Sequence, residues 1–550
     1  MNSIGKVSAT QNNPTSADEF SFWLRDDIVV APFDMVAVPN ANKTVTIGVI
    51  KEIYHNTDSI NHIASYVSHD FGQVEGEATT PRIGANYALA EVLSNNGEVY
   101  MPLRDGQPVR FASETEIKTS LGIDSTQDRP GHIRIPAGYI TMSNNTTVPV
   151  SLDSAFLLGP ESAHLNISGI SGLATKTSYA MFLLQAVAQK MKDKSIATII
   201  FNVKGDDLLY IDQPCQDLKQ EVMNDWKGCM LEAKPFANVQ YFFPYKNKKD
   251  GKRYANTWCT PETLEQRQKD GTAWNYIYTF DHDKEKIDLL LSNIDDPAFT
   301  IDSILNEVVN GRQFEHLRDW KALDDEVSRF CKAGNKDNVI QVGSWRRFKR
   351  LLSTIVKEST SGIFQDSRSE ASERKQVFLS DQIEKLKPGD TFVVDIAELP
   401  EAEKCLVFGD VIRTVYKLKT EGSETCPDRI ICFVDELNKY APENVKNSPI
   451  IGDLLEITER GRSLGVILFS AEQFRSGVHA RVKGNCGTNV YGRTNAVEIA
   501  SSDYRYIPKT YSHMMTRLRK GHLIVQHPVF RSLMKIAFPQ PAYHQPKPSE

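Results

Sequence analysis

A glycine-rich turn holds the first residues whose types and spacing suggest chemistry. Residues 169–177 read Gly-Ile-Ser-Gly-Leu-Ala-Thr-Lys-Thr, and they separate the short apolar run 165–168 from a stretch with helical periodicity. Successive backbone N–H groups at a helix start can bind phosphate oxygens, a lysine neutralises them, and a hydroxyl reaches a magnesium ion. We therefore expect a nucleotide-binding loop made by Gly169, Ser171, Gly172, Ala174, Thr175, Lys176, Thr177 and Ser178, with Thr177 also binding the metal.

The spacing of this turn departs from the usual phosphate-loop pattern. The turn reads G-x-x-G-x-x-x-K-T rather than G-x-x-x-x-G-K-[ST]. A strand-to-helix turn that binds no ligand is therefore an open alternative for this motif taken alone.

Two adjacent carboxylates follow the apolar run 430–434. Asp435 and Glu436 stand where a buried strand would end, and parallel sheets present such groups at their carboxyl edge. We expect Asp435 to hold the magnesium shell and Glu436 to orient or deprotonate an attacking water. A strand that ends in two acids by chance is the alternative.

Three more polar residues flank the next apolar run, 465–470. Gln473 follows it and is predicted to sense a γ-phosphate or the water. Arg460 and Arg462 precede it, and a planar guanidinium suits the stabilisation of a phosphoryl transition state. The alternative for either arginine is a cation that complements the end of a helix dipole.

Composition bounds the class of protein. A chain of 550 residues is too long for one core, so about two to four domains are expected. The net charge of −6 argues against wrapping of nucleic acid by the whole surface, although a local basic channel stays possible. Eight scattered cysteines, a polar start without a signal peptide and no membrane-length apolar run predict a cytoplasmic protein that does not enter the membrane.

The order of strand-like and helix-like segments predicts an α/β fold. Short β-like runs between turn clusters suggest a small barrel, whereas strands alternating with helices later in the chain imply a RecA-like parallel sheet interrupted by a mostly helical insertion. The expected boundaries are a polar tail (1–17), an N-terminal β-barrel (18–155), a RecA-like core (156–210 and 376–538), the insertion (211–375) and a proline-rich tail (539–550).

Three motifs give the chain a resemblance to the HerA/FtsK branch of P-loop motor ATPases, and to HerA-like proteins in particular. Residues 169–177 are similar to the Walker A region of that family, and residues 433–439 to its Walker B region. Residues 460–466 resemble the segment that carries its cis arginine, with Gln473 as the polar sensor. The resemblance extends to the barrel through residues 101–113 and to a closing hairpin and strap through 525–538.

This resemblance implies a homohexameric ring that binds ATP and Mg²⁺ and threads double-stranded DNA through a central pore. It also implies a partner, either a nuclease or an effector enzyme of antiphage defence. A ring that binds ATP and organises such a partner without translocating DNA, and a degenerate module that does not hydrolyse ATP, are the alternatives.

Two basic segments are candidates for DNA contact. Residues 345–350, Trp-Arg-Arg-Phe-Lys-Arg, interleave aromatic and cationic side chains, but an amphipathic helix with its aromatic face in the core is the favoured interpretation. Residues 475–483 are a candidate pore loop.

Overall fold

The computed structural model describes residues 3–69, 71–75, 83–123, 131–170, 175–192, 195–247, 253–292, 294, 300–332, 340–353, 361–368, 375–422, 425–445 and 448–546. The chain divides into two compact units. Unit 1 comprises Met1–Asp153 and Tyr504–Phe538, and unit 2 comprises Ser154–Asp503 and Pro539–Glu550.

The strands of the described residues are, in chain order, β1 (Gly5–Ser8), β2 (Glu19–Leu24), β3 (Met35–Pro39), β4 (Val45–Thr57), β5 (Gly84–Asn95), β6 (Pro108–Phe111), β7 (Arg134–Thr141), β8 (Thr147–Asp153), β9 (Leu165–Ser168), β10 (Ile196–Asn202), β11 (Val239–Phe243), β12 (Tyr245–Asn247), β13 (Arg253–Ala255), β14 (Ala273–Tyr276), β15 (Gln376–Val377), β16 (Thr391–Asp395), β17 (Arg429–Asp435), β18 (Val466–Glu472), β19 (Thr488–Tyr491), β20 (His522–Gln526) and β21 (Met534–Ala537).

The α-helices are α1 (His62–Ser68), α2 (Glu114–Leu121), α3 (Ser154–Leu157), α4 (Thr175–Lys190), α5 (Gln220–Gly228), α6 (Pro261–Asp270), α7 (Phe280–Asp283), α8 (Thr300–Asn310), α9 (Trp320–Phe330), α10 (Val342–Leu352), α11 (Leu379–Ile383), α12 (Glu401–Glu421), α13 (Pro449–Leu464), α14 (Ala480–Gly484), α15 (Ala496–Ile499) and α16 (Lys509–Met515).

Unit 1 contains the predicted barrel. Its strands close in the order β1-β2-β5-β4-β3-β6, and every pairing around the barrel is antiparallel. Inward-facing side chains such as Phe20, Phe22 and Val36 fill the interior and are nearly inaccessible to solvent. The sequence predicts a polar tail over residues 1–17, whereas Gly5–Ser8 forms β1, because a four-residue strand is too short to show its alternation.

A second sheet of unit 1 pairs distant parts of the chain. Its strands lie in the order β20-β21-β7-β8, all antiparallel, so that the hairpin of residues 522–537 joins the hairpin of residues 134–153. The imidazole of His527 accepts a hydrogen bond from the backbone of Asp153 at 3.2 Å. This contact ties the late segment of unit 1 to the early one.

Unit 2 is built on a sheet whose described pairings are all parallel. The order is β15-β14-β11-β16-β10-β17-β18-β9-β19. Strand β17 is buried almost throughout, as expected for a parallel strand covered on both faces. The predicted α/β class, with a parallel sheet and an N-terminal barrel, is confirmed.

The segment predicted as a mostly helical insertion differs from that expectation. Residues 211–375 include α5 to α10, but they also supply β11 and β14, which extend the parallel sheet. Strand β11 reads Val-Gln-Tyr-Phe-Phe and ends in three consecutive buried aromatic residues, so periodicity does not separate it from a helix.

Helix α10 has the amphipathic form favoured from its sequence. Trp345, Phe348 and Leu352 are buried, and the ring of Trp345 stacks near Phe314 and Phe330. The exposed face carries the cations, so the aromatic residues of this helix belong to the core and not to a nucleic-acid surface.

The proline-rich C-terminal tail follows the surface of unit 2. The indole N–H of Trp226 donates to the carbonyl of Gln540 at 2.8 Å, and Tyr543 is buried. All eight cysteines are free. Within the described residues, no helix combines the length and the apolar character that crossing a membrane requires.

Candidate functional site

Four neighbouring strands of unit 2 bring the candidate residues to one edge. Strand β18 lies between β9 and β17, and β10 follows on the far side of β17. Because all four are parallel, their carboxyl ends meet, and this is the edge at which open α/β sheets bind ligands. Lys176 follows β9 by way of the glycine turn, Asp435 ends β17, and Gln473 follows β18.

The entry to the glycine turn is held by backbone hydrogen bonds. The N–H of Gly169 donates to the carbonyl of Glu472 at 3.1 Å, and Ile170 donates to Arg493 at 2.7 Å. Gly169 has φ +154°, and a Cβ there would lie 3.1 Å from the Arg493 carbonyl oxygen. A glycine is therefore required where the chain leaves the sheet. The predicted ligands Ser171, Gly172 and Ala174 lie outside the described residues.

The N-terminus of α4 carries the remaining residues of the predicted loop. Thr175, Lys176 and Ser178 are each less than a tenth exposed. The ammonium of Lys176 is buried and has no hydrogen-bond partner among the described residues. Burial lowers the pKa of Lys176, although Asp435 opposes the shift. A buried, unpaired ammonium at a helix N-terminus is a costly arrangement that an anionic ligand would relieve.

A hydroxyl and a carboxylate meet beside Lys176. The Oγ1 of Thr177 lies 3.4 Å from the Oδ2 of Asp435. Hard oxygen ligands of this kind, one carboxylate and one hydroxyl, suit Mg²⁺ when phosphate oxygens and waters complete its shell. The predicted metal ligands therefore lie close enough together to fit that ion.

Glu436 is held by cations and by the predicted sensor. Gln473 donates to its Oε1 at 3.0 Å, Lys439 pairs with its Oε2 at 3.2 Å, and Lys204 pairs with its Oε1. Glu436 also has φ 59° and ψ 47°, a left-handed conformation that is uncommon for a residue other than glycine and typical of functional sites. Burial raises the pKa of Glu436, but the two lysines outweigh it and hold the pKa at about 2.

Sequence reasoning missed the role of Lys204. It follows β10, and its ammonium lies between the two carboxylates, 3.8 Å from Asp435. A lysine directly after the apolar run 197–203 is the signal that was present. Lys204 also lines the pocket of about 300 Å³ at this edge, together with Thr175, Lys176, Thr177 and Asp435.

Glu472 is the second residue that the sequence reasoning missed. It ends β18 and is inaccessible to solvent, and the side chain of Asn166 lies beside its carboxylate. Burial raises the pKa of Glu472 to about 7, even though Arg475 opposes the shift. A buried carboxyl that titrates near neutral pH thus lies between the phosphate-loop strand and the Asp435 strand.

The structure does not bring Arg460 and Arg462 to this edge. Helix α13 starts after the carboxyl end of β17 and ends just before the amino end of β18, so its last turn lies at the opposite edge of the sheet. Arg460 is exposed and pairs with Glu456 at 3.0 Å, and Arg462 donates to the carbonyl of Glu161 at 2.9 Å. Within one chain, neither arginine has the predicted position.

Cations of the candidate pore loop 475–483 have partners inside unit 2. Arg475 is buried and bonded to Asn166, and the ammonium of Lys483 pairs with Asp503 at 2.7 Å. The third cation of the loop, Arg481, is exposed and pairs with Glu459 at 2.6 Å.

No family model and no curated protein matches this sequence. Among solved structures, the chain is similar to the bacterial conjugative coupling protein TrwBΔN70, with a TM-score of 0.44 and 11% identity over 79% of this chain and 95% of that one. The plasmid coupling protein TrwB in complex with ADP and Mg²⁺ gives a TM-score of 0.42 and 10% identity over 70% and 87% of the two chains. VirB4 of Thermoanaerobacter pseudethanolicus gives 0.41 and 10% over 75% and 97%.

Proposed function

We propose that this chain is a RecA-like P-loop ATPase that binds ATP with Mg²⁺ and hydrolyses it at the carboxyl edge of the unit 2 sheet. The observation that carries the proposal is that Lys176, Thr177 and Asp435 line one pocket at this edge, while Glu436, the residue after Asp435, accepts a hydrogen bond from Gln473. Lys176 and Thr177 are more than 250 residues away in sequence from Asp435, Glu436 and Gln473, so chance proximity of the two groups is a poor account of the arrangement.

Each residue has a distinct role in this proposal. Lys176 binds the phosphate oxygens, and Thr177 and Asp435 hold the Mg²⁺ ion, which when bound neutralises charge on the phosphates. Glu436 accepts a proton from the attacking water, and Gln473, which already donates to Glu436, orients the two together. Lys204 pairs with Glu436 and also lines the pocket, so its ammonium can exchange the carboxylate for a phosphate of the bound nucleotide.

The proposal extends to assembly. A homohexameric ring of HerA type, coupled to translocation of double-stranded DNA and working with a nuclease or a defence effector, is the finer function that we propose. The support is the combination of an antiparallel barrel with the parallel ATPase sheet in one chain. In a ring, Arg460 or Arg462 would act on the site of a neighbouring subunit, because neither reaches the site of its own chain.

A second candidate is an ATP-binding scaffold that organises a partner without moving DNA. The observation that favours it is the pairing of Lys204 and Lys439 with Glu436, which keeps the pKa of the proposed base at about 2. Such a carboxylate is a weak proton acceptor at neutral pH, so turnover would be slow unless Lys204 leaves.

The test is the rate of phosphate release with Mg-ATP, measured with and without double-stranded DNA. A motor hydrolyses ATP faster on the duplex, whereas a scaffold hydrolyses it at the same rate. The variant Lys176→Met provides the control, since it removes the phosphate ligand from the pocket. Failure of the wild-type chain to release more phosphate than this variant would refute the ATPase assignment.

A further inference from the structure

The late segment of unit 1 concentrates positive charge in a chain that is acidic overall. The segment Tyr504–Phe538 contains no aspartate or glutamate, whereas the whole chain has a net charge of −6. Such asymmetry is typical of a surface that binds a polyanion. The cationic residues of the segment are Arg505, Lys509, Arg517, Arg519, Lys520, Arg531 and Lys535.

Four basic side chains of this segment line one pocket. Arg517, Arg519, His522 and Lys535 surround a space of about 360 Å³. Its apolar wall comes from Met514 and Leu518, and none of the described residues that line it is acidic. The pocket therefore has the size and the charge of a site for a small anionic group.

No ion pair of the described residues involves a side chain that lines this pocket. Lys535 is only partly exposed, whereas Arg517 and Arg519 are exposed to solvent. Asp34 is the acid that acts on Lys535, but its two oxygens accept hydrogen bonds from the backbones of Ala31 and Ser143, at 2.8 and 2.9 Å.

The charges in the pocket repel one another. Burial lowers the pKa of Lys535, and Arg519 lowers it further. Burial likewise lowers the pKa of His522, with Lys535 and Arg519 adding to the shift. Solvent screens the exposed arginines, so the cost of unpaired charge falls mainly on the partly buried Lys535, and a bound anion would offset it.

We propose that this pocket binds a phosphate group of a nucleic-acid backbone. Two guanidiniums on one turn of chain can bind phosphate oxygens in the bidentate manner that arginine favours, while Lys535 supplies a point charge from the neighbouring strand. The pocket belongs to unit 1, so it is a contact beyond the ATPase site. It extends the proposed coupling to DNA and does not depend on ATP hydrolysis.

The test is equilibrium binding of a short fluorescent DNA duplex to the full chain, without nucleotide, over a series of salt concentrations. The double variant Arg517→Gln/Arg519→Gln is expected to bind about tenfold more weakly at about 0.1 M salt. The slope of log affinity against log salt should fall by about 2, because two phosphate contacts are lost. The measurement needs no ATP, so its failure and a failure of the ATPase assignment are separate results.

A matched control removes the same charge from the same segment outside the pocket. Arg505→Gln/Lys509→Gln should change the affinity by less than about twofold, since neither residue lines the pocket. Equal losses in the two double variants would overturn the proposal in favour of a diffuse basic surface. Wild-type binding to anionic lipid vesicles but not to DNA would overturn it as well.

A third variant separates backbone phosphate from free phosphate. Lys535→Met should raise the melting temperature of the chain by removing an uncompensated ammonium, and should weaken duplex binding. Inorganic pyrophosphate serves as the second probe. If pyrophosphate raises the melting temperature of the wild type but not of Lys535→Met, while duplex affinity is the same in both, the pocket takes free phosphate and the nucleic-acid proposal is wrong.

Discussion

Glu436 is the residue whose replacement tests the proposed chemistry most directly. The change Glu436→Gln keeps the size of the side chain and an oxygen that can still accept from Gln473 and Lys204. It removes the negative charge and the capacity to take a proton at neutral pH. Lys176, Thr177 and Asp435 stay in place, so the groups proposed to hold the nucleotide are unchanged.

The expected loss is in turnover and not in binding. A positioned general base accelerates a reaction by about 10² to 10⁴, so kcat should fall by that factor, or about 3 to 5 kcal/mol in the barrier. ATP should bind at least as tightly as in the wild type, because Lys204 is released from a carboxylate and its charge becomes available to the phosphates.

The same change should cost stability at neutral pH. The pKa of Glu436 in the folded chain is about 2, below its ordinary value of 4.5. The carboxylate therefore contributes stability that is present above pH 4.5 and is lost as pH falls toward 2. The shift corresponds to at most about 3 kcal/mol, and the true figure is smaller because Lys204 is 46% exposed to solvent.

Two measurements on each variant separate an effect on turnover from an effect on nucleotide binding. Phosphate release with Mg-ATP gives turnover, and titration with a fluorescent ATP analogue gives binding. Glu443→Gln is the matched control, because Glu443 is an exposed glutamate a few residues further along and should keep both properties. A Glu436→Gln chain that releases phosphate at the wild-type rate would refute Glu436 as the base. Loss of nucleotide binding together with turnover would show that Glu436 shapes the pocket instead.

Three further substitutions have expected outcomes. Lys204→Met should raise the pKa of Glu436 toward its ordinary value, so the acid limb of the pH–rate profile should move to higher pH; an unmoved limb would show that Lys204 does not control the base. The pKa of Glu472 is raised to about 7, so its protonated carboxyl stabilises the fold by at most about 3 kcal/mol. This stabilisation is complete below pH 4.5 and is lost as the pH rises through 7. The free energy of unfolding, measured with denaturant, should therefore fall less between pH 5 and pH 8 in Glu472→Gln than in the wild type. Equal falls in the two proteins would contradict this. Gly169→Ala should weaken nucleotide binding and lower the melting temperature, because its Cβ would lie 3.1 Å from a backbone oxygen; Gly484→Ala, with no atom within 4 Å of its Cβ, should do neither.

The elements with strong local signals were predictable from the sequence. Strand β17 is a continuous apolar run that ends in Asp435 and Glu436, and burial on both faces is the reason for that composition. The amphipathic helix α10 was predicted from its spacing of Trp345, Phe348 and Leu352. In contrast, β1 and β11 were not predicted, since neither a four-residue strand nor a five-residue strand that ends in three consecutive aromatic residues has a distinctive period.

The sequence by itself determined which residue types could bind phosphate and magnesium, and that Thr177 and Asp435 would stand at strand or helix ends. Only the tertiary structure decided which of them meet. The order of strands in the sheet places Glu472 and Lys204 beside the site, and the direction of α13 carries Arg460 to the opposite edge. Sequence distance does not contain that information, because parallel strands bring their carboxyl ends together while each connecting helix returns the chain to the other edge.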